Sequence, residues 1–240
     1  MSVAEEKATT AKPERGAFIV LEGLDRSGKT TQVKLLEQRL LEQRKSVKLM
    51  RFPDRTTPIG KTIDSYLKSA VRMDDHAIHL LFSANRWEAA ETINELLDAG
   101  TTVVCDRYAH SGMVYSAAKR SPALRLGWAR APDAGLPRPD RVVFLDLDEE
   151  AARARGGWGE EVYEKAAMQR EVRRLFGALA GKAGEEEGEV WKEQGLTGGE
   201  EWLREKGDLV LVDAGGTVEE VAEKVWRVVE DVKGQRRVLL

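Results

Sequence analysis

The sequence predicts an α/β fold in which helices cover both faces of a five-stranded parallel sheet. Three observations lead to this prediction. Short apolar runs alternate with amphipathic helical stretches along the chain, which is the order that builds a parallel sheet. The run at 142–147 is apolar almost throughout, as strands buried on both faces are. Residues Gly23 to Thr30 match the pattern G-x-x-x-x-G-K-[ST], which forms a phosphate-binding loop between a strand and a helix.

The first predicted strand and helix enclose this phosphate-binding loop. Residues 17–21 form an apolar run long enough for one buried strand, and apolar residues recur at helical spacing over 33–40. Gly23 and Gly28 permit backbone angles that are closed to residues with a Cβ, so the loop amides can surround phosphate oxygens. The order of strand, glycine-rich loop and helix predicts the three-layer P-loop NTPase fold.

The motif assigns roles to the side chains of the loop. Lys29 is expected to bridge the β- and γ-phosphates of a nucleotide, and the Thr30 hydroxyl is expected to bind Mg²⁺. Arg26 lies inside the loop, where a guanidinium could contact a phosphoryl group during its transfer. The predicted nucleotide-binding residues of the loop are Gly23, Asp25, Arg26, Ser27, Gly28, Lys29, Thr30 and Thr31.

The remaining elements follow in alternation. Strands are predicted at 47–52, 102–105, 142–147 and 209–212, and helices at about 59–68, 74–98, 149–155 and 162–179 and from Thr217 onward. Asp74 suits a helix N-cap, and Thr217 with Glu220 forms a capping box. Four of the seven prolines lie within 121–140, which is therefore predicted to be mostly loop.

The chain is predicted to form one domain with polar ends. Residues 1–16 mix glutamate with lysine and lack the apolar stretch of a signal peptide, which predicts a disordered tail. The domain is predicted to span 17–233, and 234–240 is predicted to be a second tail. The acidic, glycine-rich segment at about 181–207 is predicted to be a surface insertion that is partly disordered.

The composition disfavours several classes of function. The 240-residue chain has 41 acidic and 38 basic residues and a net charge of −3, so nothing global favours nucleic acid binding. Any anion site must therefore come from local clustering of basic residues. No segment approaches the roughly 18 apolar residues that span a membrane. The single cysteine, Cys105, excludes an internal disulfide and fits a reducing compartment.

Charged residues follow the predicted strands at their carboxyl ends, where ligands bind in such sheets. Asp106 is expected to hold Mg²⁺ directly or through water, and Arg107 is expected to lie between donor and acceptor phosphates. Phe82 and Arg86 are four residues apart and share a helix face. This spacing suits a nucleoside monophosphate, with its base on the ring and its phosphate on the arginine. A core phenylalanine beside a surface arginine is the alternative that spacing alone leaves open.

Together these motifs resemble the thymidylate kinase family, in the eukaryotic form that carries its catalytic arginine in the phosphate-binding loop. The resemblance covers 17–179 and 209–232 and rests on EGLDRSGKTT, FPDRTT, LFSANRWE and DRYAHSG. It implies Mg²⁺-dependent transfer of the γ-phosphoryl group of ATP to dTMP. It also implies a homodimer, and members of the family work in the cytoplasm, the nucleus or mitochondria. No nucleic acid or membrane partner is expected, as the composition already indicates.

The resemblance further implies roles for individual residues. Phe82 would stack on thymine, Arg86 would bond the carbonyl edge of the base, and Asp25 would take the 3′-hydroxyl. The implied substrate site comprises Asp25, Phe52, Arg55, Phe82, Asn85, Arg86, Arg107, Ser111, Gly112, Tyr115 and Tyr163. The residues expected to take part in catalysis are Arg26, Lys29, Asp106 and Arg107.

A lid is implied at about 153–165. Arg155 would lie near the adenine, and Asp213 would border it from the turn after the last strand. Tyr163 would close over the sugar together with Tyr115. Val162 is a departure, because the eukaryotic form is expected to carry arginine at this position of the lid.

Two other functions fit parts of the pattern. A deoxynucleoside kinase also has a phosphate-binding loop, but its acceptor is a neutral 5′-hydroxyl, whereas Arg55 and Arg107 suit an acceptor that already carries a phosphate. A regulatory GTPase is the alternative from a different class, since residues 213–216 fit D-x-x-G. That motif follows the last predicted strand, however, and the chain has no Asn-Lys-x-Asp motif for reading guanine.

Overall fold

The computed structural model describes residues 14–148, 151–152, 162–163, 165–200, 208–235 and 237–239. Within them, a five-stranded parallel sheet has the strand order β2-β3-β1-β4-β5. Its strands are β1 (Phe18–Gly23), β2 (Val47–Arg51), β3 (Thr102–Asp106), β4 (Arg141–Asp146) and β5 (Leu209–Asp213). The parallel sheet and all five predicted strands are confirmed, with ends that differ by one or two residues.

The described helices are α1 (Lys29–Glu42), α2 (Pro58–Leu67), α3 (Asp75–Trp87), α4 (Ala90–Asp98), α5 (Ala109–Ala117), α6 (Leu126–Arg130), α7 (Ala166–Leu179), α8 (Glu187–Glu193) and α9 (Val218–Val229). Both predicted N-terminal caps are confirmed. The Asp74 carboxylate accepts hydrogen bonds from the first turn of α3, and Thr217 and Glu220 form the capping box of α9. None of the helices in the described part of the chain is long and apolar enough to cross a membrane.

Side chains of the central strands alternate between two cores, because successive residues of a strand point to opposite faces of the sheet. Phe18 and Val20 of β1 belong to a buried cluster with residues of α4, α5 and α7. Ile19 and Leu21 belong to a second cluster with residues of α1 and α9. Helices therefore cover both faces of the sheet, and the predicted three-layer fold is confirmed.

The region predicted as one helix over 74–98 consists of two, α3 and α4. The Ala89 N–H bonds the Arg86 carbonyl, three residues back instead of four, which tightens the chain as in a 3₁₀ turn. Arg86 is held at the same point by Asp133, which lies far away in sequence. The helical spacing of apolar residues continues through the break, so the sequence pattern did not reveal it.

The region 121–140 is more helical than predicted. It contains α6 and two 3₁₀ helices, Pro122–Leu124 and Ala131–Asp133. Each 3₁₀ helix has a proline in its first turn, where the missing N–H would have no partner within the helix. Most of the helix predicted at 149–155 lies outside the described residues, and the helix predicted at 162–179 begins at Ala166.

The segment predicted as a surface insertion is partly buried. Val190 and Trp191 of α8 belong to the core cluster that packs beneath α7. The Gln194 side chain accepts a hydrogen bond from the Leu126 N–H at 3.0 Å, which ties the segment to the start of α6. The surrounding glutamates and glycines conceal this packing in the sequence, because two apolar residues alone give no periodic signal. Residues 201–207 lie outside the described part.

The C-terminal residues predicted as a tail also pack against the domain. Leu239 is buried, and the Asp140 carboxylate accepts hydrogen bonds from the Phe18 and Gln235 amides at 2.8 Å each. Asp140 thus joins β1 to the C-terminal segment. Of the predicted tail at 1–16, only residues 14–16 lie within the described part.

Candidate functional site

The topology of the sheet creates a crevice beyond the carboxyl end of β1. From β1 the chain passes over β3 to form β2, returns to form β3, and continues on the other side as β4. Ligands bind at such a switch in strand order. Leu21 pairs with Asp106, and Asp106 pairs with Arg51. This register brings the phosphate-binding loop beside Asp106-Arg107 and the turn that follows β2.

A cavity of about 410 Å³ opens at this crevice, a size typical of ligand pockets. The predicted site residues that line it are Asp25, Arg26, Gly28, Lys29, Thr30, Thr31, Phe52, Arg55, Phe82, Arg86, Arg107, Ser111, Gly112, Tyr115 and Tyr163. Within the described part, six cationic side chains line the cavity against one carboxylate. Basic residues are therefore clustered locally although the whole chain is slightly acidic, and the cavity suits a polyanionic ligand.

The phosphate-binding loop has the backbone that its motif predicts. Gly28 has a φ of 93° and Gly23 a φ of 152°. A Cβ at Gly23 would lie 2.6 Å from the Ser27 Oγ and 2.8 Å from the Leu145 carbonyl oxygen, so the loop closes only around glycine. Because α1 begins at Lys29 beside the cavity, the positive end of its dipole lies at the predicted phosphate position.

Lys29 is buried inside this loop. Its Nζ donates a hydrogen bond to the Leu24 carbonyl at 2.6 Å and lies 3.5 Å from the Ser27 Oγ. Burial, together with the charge of Arg107, lowers the pKa of Lys29 to about 7. A phosphate beside the ammonium would favour its charged form, so Lys29 is placed to bind an anion.

Thr30 and Asp106 are neighbours, as expected for a pair that binds Mg²⁺. The Thr30 Oγ1 donates to the Asp106 Oδ2 at 2.8 Å, and the Asp106 Oδ1 is buried without a hydrogen-bond partner. These oxygens fit Mg²⁺, which is commonly held by one or two carboxylates together with substrate phosphates. No group of three or more His, Cys, Asp or Glu side chains placed to hold a metal occurs among the described residues.

The two arginines expected to contact the transferred phosphoryl group both have a left-handed backbone. Arg26 has a φ of 66° and Arg107 a φ of 67°, a region that residues with a side chain rarely adopt. Such strain is concentrated at functional sites. The Arg107 guanidinium is fixed by Asp25, whose Oδ1 lies 2.5 Å from Nη2, and by Ser111, whose Oγ lies 3.1 Å from Nη1.

Asp25 is held from a second side by Gln169, a residue that the sequence analysis did not single out. The Gln169 Nε2 donates to the Asp25 Oδ2 at 3.0 Å and to the Tyr163 carbonyl at 2.9 Å. Gln169 is buried and lies three residues before Val172, on the apolar stripe of α7. A polar residue on a buried helix face was the only signal for it in the sequence, since such a residue needs a partner.

Phe82 and Arg86 both line the cavity, which confirms that they share a face of α3. Phe82 is partly buried and packs against the cluster of Ile63, Tyr66, Leu67 and Ile78. Arg86 is 2% exposed and forms a buried ion pair with Asp133 at 2.7 Å. The alternative of a core phenylalanine beside a surface arginine is therefore wrong.

Asn85 is not among the residues that line the cavity, and its predicted contact with substrate stays a prediction. Its Oδ1 accepts a hydrogen bond from the Asp54 N–H at 2.7 Å, and its Nδ2 donates to the Thr57 Oγ1 at 3.1 Å. Asn85 points about 100° away from Arg86 because successive helix residues are rotated by that angle. It holds the turn that carries Arg55, whose own Nη1 donates to Asp64 at 2.7 Å.

The adenine side of the predicted site is described only in part. Asp213 is exposed at the end of β5, outside the cavity lining, and its carboxylate accepts a hydrogen bond from the Lys224 Nζ at 2.7 Å. Arg155 and most of the predicted lid lie outside the described residues. Tyr163, at the end of the lid, has its ring 5.6 Å from that of Tyr115. The Val162 N–H bonds the Leu67 carbonyl, which joins this end of the lid to α2.

Glu22 is a further site residue that the sequence analysis missed. It is fully buried at the end of β1, and its Oε1 accepts hydrogen bonds from the Tyr108 and Ser111 N–H groups at 3.0 Å each. The carboxylate thus binds the N-terminus of α5, beside Arg107. A glutamate within an apolar strand was the available signal, because a buried charge must be paired. Glu22 itself does not line the cavity. The cavity-lining residues that the sequence did not indicate are Arg51, Pro53, Leu67, Tyr108 and Ser116.

His79 lies behind Ser116, with its Nδ1 2.7 Å from the Ser116 Oγ. Burial, and the charge of Arg86, lower the pKa of His79 to about 4. The histidine is therefore neutral at physiological pH and serves as a hydrogen-bond partner for a cavity residue.

The depressed pKa of His79 predicts a loss of stability in acid. Between pH 6.5 and about 4 the unfolded chain binds the proton and the folded chain does not, so the free energy of unfolding should fall as pH falls. At about 1.4 kcal/mol per pH unit, this one group contributes about 3 kcal/mol. Urea unfolding of the wild type and of His79→Asn, from pH 7 to pH 4, measures the difference in slope. His76→Asn, at a more exposed position, should keep the wild-type slope, and a wild-type slope in His79→Asn would contradict the prediction.

Comparison with known proteins gives one consistent result. The family model described as Thymidylate kinase matches residues 21–191. The thymidylate kinase of Schizosaccharomyces pombe is 44% identical over 222 residues, which cover 92% of this chain and 95% of the relative. The human thymidylate kinase is 48% identical over 165 residues, 69% of this chain and 77% of the relative. A solved structure of thymidylate kinase from Candida albicans is 34% identical, with a TM-score of 0.76 over 94% of this chain and 99% of that one.

Proposed function

The chain belongs to the thymidylate kinase family, and from this premise we propose how its residues phosphorylate dTMP. It is a nucleoside monophosphate kinase that converts dTMP to dTDP, and family membership implies ATP as the phosphate donor. Our assignment of residues rests on the cavity at the end of β1. There the phosphate-binding loop meets an aromatic ring and several arginines that the loop itself does not need.

The donor triphosphate would bind to the loop amides and to the N-terminus of α1. Lys29 would leave the Leu24 carbonyl and turn to the β- and γ-phosphates, which restores its full charge. This use of Lys29 is supported by its burial beside the loop and by its lowered pKa, since a nearby anion favours the ammonium form.

The acceptor would bind on the other side of the cavity. Phe82 would stack on the base, while Arg55 and Arg107 would bind the 5′-phosphate. Arg107 suits this role because its guanidinium is already oriented by Asp25 and Ser111. Arg86 is less suited to a phosphate than its spacing from Phe82 suggested, because Asp133 already neutralises its charge.

Thr30 and Asp106 would hold Mg²⁺. When bound there, the cation would neutralise charge on the donor phosphates. The two oxygens lie 2.8 Å apart, and the second carboxylate oxygen of Asp106 is unpartnered, so the protein offers the oxygen ligands that Mg²⁺ prefers. Removal of divalent cations with a chelator should abolish turnover, and its restoration by Mg²⁺ would test the proposal.

Transfer would proceed in line from the γ-phosphate to a dTMP phosphate oxygen. Arg26 would contact the equatorial oxygens of the phosphoryl group, where charge spreads in the transition state. No protein base is needed, because the attacking oxygen is already anionic. Tyr163 and the lid residues that precede it would exclude water and so limit hydrolysis of ATP.

A coupled assay of ADP release, with dTMP, dUMP, dGMP and thymidine as acceptors, tests this function most directly. Turnover should be fastest with the thymine or uracil monophosphates and negligible with thymidine, which lacks the charge that the arginines bind. Faster turnover of thymidine than of dTMP would establish a deoxynucleoside kinase. Slow GTP hydrolysis that dTMP does not affect would establish a nucleotide switch.

Replacing Phe82 by alanine should weaken dTMP binding by about 1–3 kcal/mol, the scale of stacking between a base and an aromatic ring. The loss should appear in the KM for dTMP, because the stack is present before and during transfer. Leu41→Ala, at an exposed position of α1 away from the cavity, is the control and should leave the KM unchanged. An unaltered KM in Phe82→Ala would remove this ring from the base site.

The homodimer expected from the family resemblance is part of the proposal. Leu80 and Trp87 are seven residues apart on α3, are 48% and 44% exposed, and therefore form an exposed apolar stripe. Trp128 of α6 lies close by, against the rings of His76 and His79. Light scattering at micromolar concentration should give twice the monomer mass, and a monomer would refute this part. Action in the cytoplasm, and also in the nucleus, remains a proposal that a fluorescent fusion would test.

A further inference from the structure

Asp133 lies directly behind Arg86 and belongs to none of the motifs found in the sequence. It ends the 3₁₀ helix Ala131–Asp133, and its side chain is 2% exposed. The Arg86 Nε donates to its Oδ1 at 3.1 Å, and the Arg86 Nη2 donates to Oδ1 at 2.9 Å and to Oδ2 at 2.7 Å. Such bidentate contact fixes both the position and the plane of a guanidinium.

Asp133 is itself immobilised against α3. The Ser83 Oγ lies 2.7 Å from the Asp133 Oδ1 and 3.0 Å from the Pro132 carbonyl oxygen, so its one hydroxyl hydrogen bonds the carboxylate or the carbonyl. The Trp87 Nε1 donates to the same carbonyl at 2.8 Å. The carboxylate therefore cannot follow the arginine if the arginine moves, and the Arg86–Asp133 pair acts as one rigid unit.

The opposite side of the guanidinium is bounded by α5. A Cβ at Gly112 would lie 2.7 Å from the Arg86 Nη2 and 2.8 Å from the Arg86 Nη1. The guanidinium is thus confined between Asp133 and the α5 backbone, in a site where both Arg86 and Gly112 line the cavity. Since Asp133 takes Nε and Nη2, Nη1 is the guanidinium nitrogen left for a ligand.

This confinement has a chemical consequence for a pyrimidine in the cavity. A guanidinium only donates hydrogen bonds. Held rigidly, it can donate a hydrogen bond to the carbonyl oxygen at position 4 of thymine, but it meets the amino hydrogens of cytosine at the same position. An arginine free to swing away would avoid that unfavourable contact, and so would reject cytosine less strongly.

We propose that Asp133 is a positioning residue that fixes Arg86 against the pyrimidine, and that this rigidity sets the preference for a 4-carbonyl over a 4-amino base. The inference rests on the proposed function, in which the base stacks on Phe82 beside Arg86. Asp133 itself touches neither the base nor the reacting phosphates. It acts through Arg86 alone, so its loss should change substrate binding and base choice more than the rate of transfer.

The test compares kcat and KM for dTMP and dCMP in the wild type, Asp133→Asn and Ser83→Ala. Asparagine keeps the shape of Asp133 but removes its charge and one acceptor oxygen. The KM for dTMP should rise about tenfold, the scale of one charge-assisted hydrogen bond, with kcat changed far less. In Asp133→Asn the ratio of kcat/KM for dTMP to kcat/KM for dCMP should fall by a similar factor. Ser83→Ala should shift both quantities in the same direction by a smaller amount.

Asp140→Asn is the matched control. Asp140 is equally buried and also contacts arginines, Arg15 and Arg237, but at the opposite end of the sheet from the cavity. The Asp140→Asn substitution should lower the Tm without changing the KM for dTMP or the ratio of kcat/KM for dTMP to that for dCMP. The KM for ATP should stay unchanged in all three variants.

A folded Asp133→Asn enzyme with the wild-type KM for dTMP and the wild-type base ratio would overturn the inference. So would the same shifts in Asp140→Asn, because they would then reflect general loss of stability. If Asp133→Asn does not fold, Ser83→Ala decides, and wild-type behaviour in it counts against the inference. Failure of the wild type to phosphorylate dTMP at all would instead refute the proposed function, before any variant is compared.

Discussion

Replacing Arg26 by alanine should lower kcat on the order of 10³-fold and leave the affinity for ATP nearly unchanged. The reason is that the charge on the transferred group spreads over its equatorial oxygens only in the transition state, so a guanidinium aimed at them contributes little to ground-state binding. The measurements are kcat by the coupled assay and the Kd of ATP by titration calorimetry.

Backbone strain does not complicate this comparison. Arg26 has a φ of 66°, but alanine and arginine both carry a Cβ, so the cost of the left-handed conformation is the same in both proteins. Arg26→Lys is the control, because lysine keeps the charge but lacks the planar guanidinium. Its kcat should lie between those of the wild type and Arg26→Ala. A loss of less than about tenfold in Arg26→Ala would place the catalytic arginine elsewhere, for example at Arg153 or Arg155.

Replacing Lys29 by methionine should reduce kcat/KM for ATP by at least about 10²–10³-fold, the usual effect of removing one preorganised charge from the transition state. Methionine keeps the length and the apolar stem, so the packing of the loop is preserved while the ammonium is lost. The KM for dTMP should change little, because Lys29 lies on the donor side of the cavity. Steady-state kinetics with each substrate varied in turn would measure both effects.

Lys34→Met is the control for this variant, since Lys34 is exposed one turn further along α1. It should behave as the wild type. If Lys29→Met retained kcat/KM for ATP, the phosphates could not be bound by this loop as its motif requires. Because the free protein holds Lys29 with a pKa of about 7, the methionine variant should also be at least as stable as the wild type at neutral pH.

The phosphate-binding side of the site was predictable because it depends on local sequence. Gly23 ends β1, Gly28 precedes α1, and Lys29 and Thr30 begin that helix. Their close spacing in the sequence fixes the backbone that surrounds the phosphates. Asp106 and Arg107 were predictable for a related reason. In a parallel sheet the carboxyl ends of neighbouring strands must meet at one edge, so residues after β1 and β3 are brought together whatever the helices do between them.

The supporting residues were not predictable in the same way. Each of three supporting residues, Glu22, Asp133 and Gln169, binds another residue of the site. Asp133 is 47 positions from its partner Arg86 in the sequence, and Gln169 is 144 positions from its partner Asp25. Asn85 shows the converse, since its place within a site motif suggested a substrate contact, but the rotation of α3 directs it to the turn after β2. Membership of a motif predicts the region of the fold in which a residue lies, whereas the direction of its side chain depends on packing.

The sequence by itself determined the α/β class, the five strands, the phosphate-binding loop and most of the residues that line the cavity. These follow from periodicity, from glycine at two positions and from charges at strand ends, all of which act over a few residues. Only the tertiary structure decided that α3 and α4 are separate, that α8 and the C-terminal segment are packed, and that Arg86 is held by Asp133. Those features arise from contacts between segments that are distant in the sequence. The partner of a buried polar group depends on how these segments pack, which no local sequence pattern indicates.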